Sequence, residues 1–251
     1  MTNRLIVLSD LDDTWFSTHR AEPTEDKRLH LAAVDRQGAP LCFQTAQQNA
    51  LWKLIERTAD IIIPVTGRTS YAVERVTLLA RGGYTIASHG ALVTLDGTIV
   101  PAWAEHLAPH LDEAKTALEQ ARNHLEPLVA RLAPGGDIHL RVLHDLDVPV
   151  YLSVKSCAEL PERLVAALRE ASARFGLRLH ANARNAALRP HYTCKASAAR
   201  FVLEQLLERH PEDTVLTFGD SLSDIDFMGT GDMAVAPTNS QIWRQLQEFA
   251  Q

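Results

Sequence analysis

Short runs dominated by apolar and β-branched residues alternate along this chain with stretches of helical periodicity. Residues 5–9, 61–65, 85–88, 214–218 and 233–236 read as strands. Residues 45–58, 70–80 and 196–208, a short segment from Leu222 and a last one from Asn239 read as helices. A run that is apolar at successive positions suits a strand buried on both faces, and strand-helix alternation implies parallel βαβ units. The middle of the chain is patterned differently. Residues 91–100 alternate around Asp96-Gly97, a hairpin signal, and a helical stretch over 102–132 carries candidate breaks at Pro109 and Pro127 before Pro134-Gly135-Gly136 ends it. Strands at 138–143 and 150–154, a helix at 161–175 and strands at 177–181 and 186–188 follow.

These patterns give an α/β fold class: a Rossmann-like parallel-sheet core with a smaller α+β unit inserted in it. The expected division is a discontinuous core of residues 1–87 and 189–251 around an insert of residues 88–188. A second insertion lies between Phe16 and Thr45, where 29–34 and 39–43 flank Asp35-Arg36-Gln37-Gly38 as a hairpin. A mobile flap near the first strand's end and a plain surface hairpin both fit it.

Composition narrows the function classes. With 251 residues, 46% apolar and 22% charged, the chain has the make-up of an ordinary globular protein with ample core. Its net charge of −6 leaves no basic footprint, so the expected partner is a small molecule and not nucleic acid. No apolar run is long enough to cross a bilayer and the N-terminus lacks a secretory pattern, so a cytoplasmic location without membrane contact is expected. Cys42, Cys157 and Cys194 are odd in number and lack metal-ligand spacing, which suits a reducing compartment. Oligomeric state is not readable, since no exposed apolar stripe stands out.

Candidate chemistry gathers where core strands end. Residues 5–9 lead into Asp10-Leu11-Asp12-Asp13-Thr14, and ligands of open α/β sheets sit beyond the carboxyl ends of such strands. Two carboxylates this close repel unless a cation joins them or one holds a proton; an Asp-rich cap on the following turn is the plainer reading. Residues 61–65 lead into Thr66-Gly67-Arg68, where glycine admits a close ligand and a hydroxyl and amides can bond anionic oxygens, although a helix-capping Thr also fits. Lys195 opens an amphipathic helix, where the dipole disfavours a cation unless an anion lies nearby. Residues 214–218 end in Gly219-Asp220-Ser221-Leu222-Ser223-Asp224, and a helical turn from Ser221 would face Asp220 and Asp224 into one cavity as hard oxygen ligands suited to Mg²⁺.

Together, in the order DxDxT, strand-Thr, helix-Lys and GDxxxD, these segments resemble the four motifs of the haloacid dehalogenase superfamily. The insert between the second and third motifs is similar to the α/β cap of the Cof-type branch, and Ser9-Asp10-Leu11-Asp12 with Thr66-Gly67-Arg68 most resembles the sucrose-phosphate phosphatase group. The resemblance implies a Mg²⁺-dependent phosphatase acting on a small phosphorylated metabolite, with Asp10 as nucleophile and Asp12 as acid and then base. It also implies metal held by Asp10, the Asp12 carbonyl, Asp220 and Asp224, substrate phosphate held by Thr66, Gly67, Arg68 and Lys195, and a cap that closes over the site and selects the leaving group. Arg141, His144 and Lys155 are candidates on the cap strands. Two positions depart from the pattern: Ser223 stands where relatives commonly carry Asn, and His89-Gly90-Ala91 replaces a common Asn-Gly-Ala. His89 reads either as a substrate contact or as hinge packing. His106 and His110 have helical ligand spacing, interrupted by Pro109, so a second metal site is not expected. A phosphosugar mutase on the same scaffold, a non-catalytic phosphatase-like binding module and a phospho-accepting receiver are the rival readings. The last two are disfavoured because nucleophile, acid and lysine are all present and because the insert is large.

Overall fold

The fold is described from a computed structural model over residues 3–18, 29–78 and 80–250. Strand β1 (Leu5–Ser9) is the axis of the core, with Ile6, Val7 and Leu8 fully buried, as a strand covered on both faces requires. After the Asp10–Thr14 turn, β2 (Ser17–Thr18), β3 (His30–Val34) and β4 (Pro40–Gln44) form a small antiparallel sheet in the order β2-β4-β3. The expected hairpin therefore exists, with a further strand against β4; the segment of the insertion between β2 and residue 29 lies outside the described residues.

Helix α1 (Ala46–Thr58) starts from a capping box in which Thr45 and Gln48 satisfy each other's backbone amides. It buries Trp52 and Ile55. Trp52 meets Trp15 edge-on at 4.9 Å, and Trp15 lies 5.1 Å from Phe218, so the turn after β1 rests on an aromatic floor. Strand β5 (Ile61–Pro64) follows, and then α2 (Ser70–Val73).

The helix read over 70–80 is thus a single turn. The backbone of the next residues is taken by strand β3: Val34 N donates to Arg75 O, Thr77 N donates to Ala32 O, and Ala33 bridges Val76. Lengthening the helix would forfeit those bonds, and β-branched Val76 and Thr77 favour the extended form.

Strands β6 (Tyr84–Ala87), β7 (Leu92–Leu95) and β8 (Thr98–Ile99) form a meander whose hairpin turns at Asp96 (φ 48°) and Gly97 (φ 80°). Thr66 N donates to Ile86 O, which joins β6 to the end of the β5 segment.

The chain divides into two compact units, Met1–Val100 with Cys194–Gln251, and Pro101–Thr193. The β7–β8 hairpin, read from sequence with the insert, therefore belongs to the first unit, and the boundaries fall after Val100 and before Cys194. In the second unit, α3 (Pro101–Leu107) passes through a 3₁₀ turn at Ala108–His110 into α4 (Leu111–Leu132). Pro109 thus breaks the long helix as read, and His106 is stacked on Trp103 at 5.0 Å. Pro127 does not break it. Its ring is on the exposed face of α4, where the carbonyl deprived of a partner can bond water, while Leu125 and Val129 hold the opposite face in the core.

Strands β9 (Ile138–Asp145) and β10 (Val148–Ser156), helix α5 (Glu162–Arg174), and strands β11 (Arg178–Ala181) and β12 (Asn185–Arg189) complete this unit as an antiparallel sheet in the order β11-β12-β10-β9. Leu118, Leu125, Leu152, Val154, Leu164, Leu168 and Leu188 make its core between α4, α5 and one sheet face.

Helix α6 (Lys195–Phe201) then runs into a π turn at Val202–Leu206. Strand β13 (Thr214–Phe218), a 3₁₀ turn at Leu222–Asp224, α7 (Ile225–Met228), β14 (Met233–Val235) and α8 (Gln241–Phe249) finish the chain. The core sheet is parallel in the order β14-β13-β1-β5, so β1 lies between strands distant in sequence. No helix among the described residues is long and apolar enough to cross a membrane.

One ion pair locks this arrangement at the start of β1. Asp213, 4% exposed, accepts from Arg4 N (2.9 Å), Nε (3.0 Å) and Nη2 (2.6 Å), and from His210 N (2.9 Å). These donors hold the carboxyl below its usual range. A depressed folded-state pKa contributes stability above the unfolded value, about pH 4, and that stability disappears as pH falls through the folded value. Asp213→Asn is accordingly expected to lower the melting temperature at neutral pH and to flatten the acid limb of a melting-temperature profile. An unchanged acid limb would assign acid unfolding to other groups.

Candidate active site

The turn after β1 is shaped by short-range bonds. Ser9 Oγ donates to the Asp10 carbonyl at 2.8 Å and accepts from the Trp15 indole N–H. Trp15 N donates to Leu11 O (2.9 Å) and Asp13 N to Phe16 O (2.8 Å), with Asp13 in the left-handed region at φ 59°, which Asp tolerates better than most residues. The reversal brings Thr14 Oγ1 to 3.3 Å from Asp10 Oδ2 and 3.5 Å from Asp220 Oδ1.

Lys195 supplies the cation. Its Nζ donates to Asp10 Oδ1 at 2.6 Å and to Asp224 Oδ1 at 2.7 Å, and lies 5.3 Å from the Phe227 ring. A lysine at the first position of α6 opposes the helix dipole; two buried carboxylates offset that. Burial disfavours the ammonium, yet Asp10 and Asp224 together raise its pKa above the ordinary lysine value. Asp224, 1% exposed, is fixed through its other oxygen by Ser221 N (3.1 Å) and Ser221 Oγ (2.7 Å). Ser223, the departure noted in the sequence, exchanges a 2.8 Å hydrogen bond with Ser221 Oγ and so supports that same turn.

Ligand atoms of Asp10, Asp220 and Asp224 lie within 4.8 Å of one another. Burial pushes Asp10 up to about 7 despite Lys195, and pushes Asp220 up to about 6, with Asp224 adding to it. One lysine thus leaves three crowded carboxylates under-neutralised, and a hard divalent cation fits this all-oxygen donor set.

Thr66, Gly67 and Arg68 reach the same sheet edge, since Val65 N donates to Ser9 O at 2.7 Å. The fully buried Thr66 hydroxyl accepts from Arg68 N at 3.1 Å. Arg68 itself grips Asp12 at two points, Nε to Oδ2 and Nη2 to Oδ1, both at 2.7 Å. Its Nη2 also lies 3.2 Å from Cys42 Sγ, and its guanidinium 4.9 Å from the Phe16 ring. Sequence reasoning placed Arg68 with the substrate and missed both this pairing and Cys42; nothing in the pattern around Cys42 marks it, because the contact comes from how β4 folds back.

His89 follows β6 in a turn where Ser88 (φ 49°), His89 (φ 58°) and Gly90 (φ 90°) are all left-handed. Ser88 N donates to Arg68 O (2.7 Å) and His89 N to Thr66 O (3.0 Å), and a β-carbon on Gly67 would stand 2.5 Å from His89 Cε1. A β-carbon on Gly90 would stand 2.4 Å from Cys194 O and 2.7 Å from Lys195 N. The turn is a wedge between the Thr66 loop and the start of α6, which favours packing over substrate contact for its backbone. Gly90→Ala is expected to cost about 2 to 4 kcal/mol, from the left-handed penalty plus displacement of the Lys195 backbone. Chemical denaturation measures it; a loss below about 1 kcal/mol would show that the wedge yields.

The parallel core, the inserted α+β unit and carboxylates at the strand ends define a class of fold found in sugar-phosphate phosphatases, and solved structures of such proteins superpose on the chain. A sucrose-phosphatase from Synechocystis sp. PCC6803, solved with sucrose and phosphate, matches with TM-score 0.55 and 16% identity over 99% of this chain and 98% of that one. A trehalose-6-phosphate phosphatase related protein matches with TM-score 0.53 and 16% identity over 98% and 96%. The C-terminal domain of a C. albicans trehalose-6-phosphate phosphatase gives 0.52 and 14% over 99% and 78%. These likenesses establish the fold, the one implied by the motif resemblance. No family model and no curated protein matches the chain.

Proposed function

We propose that the protein is a Mg²⁺-dependent phosphatase that hydrolyses a small phosphate monoester, a sugar phosphate, through an aspartyl-phosphate on Asp10. The observation that carries this reading is the convergence of Asp10, Asp220, Asp224 and Lys195, from three separate segments, in one cluster at the carboxyl edge of the core sheet. The sugar is inferred from the fold neighbours, a sucrose-phosphatase and a trehalose-6-phosphate phosphatase among them.

Phosphate monoesters hydrolyse so slowly in water that the catalyst must supply positioning and charge neutralisation above all. In the proposed reaction an Asp10 oxygen attacks phosphorus as the ester oxygen departs, and Asp12 protonates that leaving oxygen. Asp12 then removes a proton from the water that hydrolyses the aspartyl-phosphate. Both Asp12 oxygens accept from Arg68 in the free protein, so Arg68 has to release one of them, and a phosphate dianion is the natural competitor for a guanidinium. Lys195 neutralises the nucleophile and the transferring group, while the Thr66 hydroxyl and the Gly67 and Arg68 amides would hold phosphoryl oxygens. Mg²⁺, held by the Asp10, Asp220 and Asp224 carboxylates and the Asp12 carbonyl, would supply charge neutralisation and keep the carboxylates ionised.

A phosphate-release screen over phosphorylated metabolites, with Mg²⁺ and with chelator, tests this. Mg²⁺-dependent release without an added activating bisphosphate is expected; isomerised product with no release would instead make the protein a mutase.

A further inference from the structure

The insertion after Phe16 takes no direct part in the proposed reaction, yet one of its side chains reaches a residue that does. Exposure alternates along β4: Leu41 and Phe43 are partly exposed, whereas Cys42 and Gln44 are fully buried and face inward. Cys42 is on the middle strand of its sheet, opposite Thr18 on β2 and Ala33 on β3. Strand β3 is in turn bonded to residues 75–77, a few positions beyond Arg68 in the chain. One hydrogen-bonded frame therefore carries both Cys42 and Arg68, and the thiol is placed by a sheet and not by a loop.

The backbone of Arg68 is tied on both sides, its N–H donating to Thr66 Oγ1 at 3.1 Å and its carbonyl accepting from Ser88 N at 2.7 Å. Its side chain meets three partners. Nε and Nη2 donate to the two Asp12 oxygens, the same Nη2 lies 3.2 Å from Cys42 Sγ, and the Phe16 ring is 4.9 Å from the guanidinium carbon. Nη2 carries two hydrogens, one for each of its acceptors. The bond to a carboxylate is charge-assisted and strong, whereas a thiol is a weak acceptor. Cys42 thus does not draw Arg68 away from Asp12, but it limits where the guanidinium can go once a carboxylate oxygen is released.

We propose that Cys42 is a positioning residue that holds Arg68 in place while Asp12 gives its proton to the leaving oxygen. The inference rests on the phosphatase reading and deepens it, since it assigns the insertion a part in the acid step. No bond to sulfur forms or breaks. The nitrogen that gives up Asp12 Oδ1 keeps the sulfur as its partner, so Arg68 turns about that contact toward the phosphate and does not drift. A displaced Arg68 would carry the remaining Asp12 oxygen with it, and a misplaced acid slows only those esters whose leaving oxygen needs a proton.

Steady-state hydrolysis of p-nitrophenyl phosphate and phenyl phosphate with Mg²⁺ tests this, because the two esters are alike in shape and only the second has a poor leaving group. Cys42→Val removes the acceptor and keeps an apolar residue suited to a buried strand. It is expected to lower kcat for phenyl phosphate about tenfold, to leave that for p-nitrophenyl phosphate within about twofold, and to leave both KM values unchanged. Cys42→Ser, which keeps an acceptor, should recover most of the loss. In an Arg68→Lys background, which lacks the forked donor, Cys42→Val should change neither rate further. Equal losses on the two esters, or a further loss beyond that of Arg68→Lys, would reduce Cys42 to packing and overturn the proposal. Thermal melting of each sample accompanies the rates, and Cys42→Ala replaces a Cys42→Val protein that melts well below the parent.

A second readout does not depend on turnover. In nitrogen-15 NMR of the full chain, the Arg68 Nε–H signal, identified by its loss in Arg68→Lys, should exchange with solvent about fivefold faster in Cys42→Val than in the parent. Unchanged exchange overturns the proposal. A parent that hydrolyses neither these esters nor any phosphorylated metabolite would remove the proposed function and the rate claim with it, and the exchange rates would then decide by themselves whether Cys42 holds Arg68.

Discussion

Asp10→Asn is expected to lower phosphate release by at least about four powers of ten while the protein remains folded. An amide has the shape of the carboxyl but is no nucleophile toward phosphorus, so no covalent intermediate can form. Folding should survive for a reason visible in the site. Asp10 is buried among other carboxylates, and its ionised form is already disfavoured there. Asn keeps an oxygen to accept from Lys195, whose other partner, Asp224, is untouched. Turnover would be followed by phosphate release and folding by thermal melting of the same sample. Turnover within tenfold of the parent would remove Asp10 from the role of nucleophile. A collapsed melting temperature would leave that comparison to Asp12→Asn, which is expected to slow release of poor leaving groups far more than of p-nitrophenol, because only the former need a proton.

Lys195→Met should act on stability as well as rate. Removing the ammonium leaves Asp10 and Asp224 facing each other in a site where neither is hydrated, and breaking a buried ion pair from one side costs about 3 to 5 kcal/mol. For a chain of this size that is a fall in melting temperature of about 6 to 20 °C. Mg²⁺ should recover part of it by supplying the missing charge, and chelator should not. If the variant melts like the parent in chelator, the two carboxylates must be sharing a proton, and the ion pair contributes little.

Much of this was legible in the sequence, for local reasons. Residues 214–218 and the first strand announce themselves by short runs of β-branched and apolar residues, and α1 by Thr45 and Gln48, because burial on two faces and a capping box leave marks within a few residues. What was not legible depends on partners remote in the chain. Helix α2 stops because β3 claims the backbone of residues 75–77. Arg68 turns to Asp12, stacked on Phe16 and beside Cys42, because the β3–β4 hairpin folds back there; no short-range pattern encodes that. Pro127 is tolerated only because of which side of α4 meets solvent. In the candidate site, the carboxylates and Thr66 could be picked out by residue type at strand ends, and Lys195 by its place at the start of a helix. The Ser88–Gly90 wedge could not, since only Gly90 there signals a positive φ.

The position of β1 in the core sheet bears on the order in which the chain can fold. Its neighbour β13 begins at residue 214, and the Lys195–Asp10 contact closes a loop of 185 residues. On a ribosome the first strand therefore waits, half covered, until almost the whole chain has emerged, whereas residues 101–193 carry all the partners of their own core and can close as soon as they are made. The cluster of Asp10, Lys195, Asp220 and Asp224, which joins the first strand to the last quarter of the chain, is therefore among the last parts of the molecule to form.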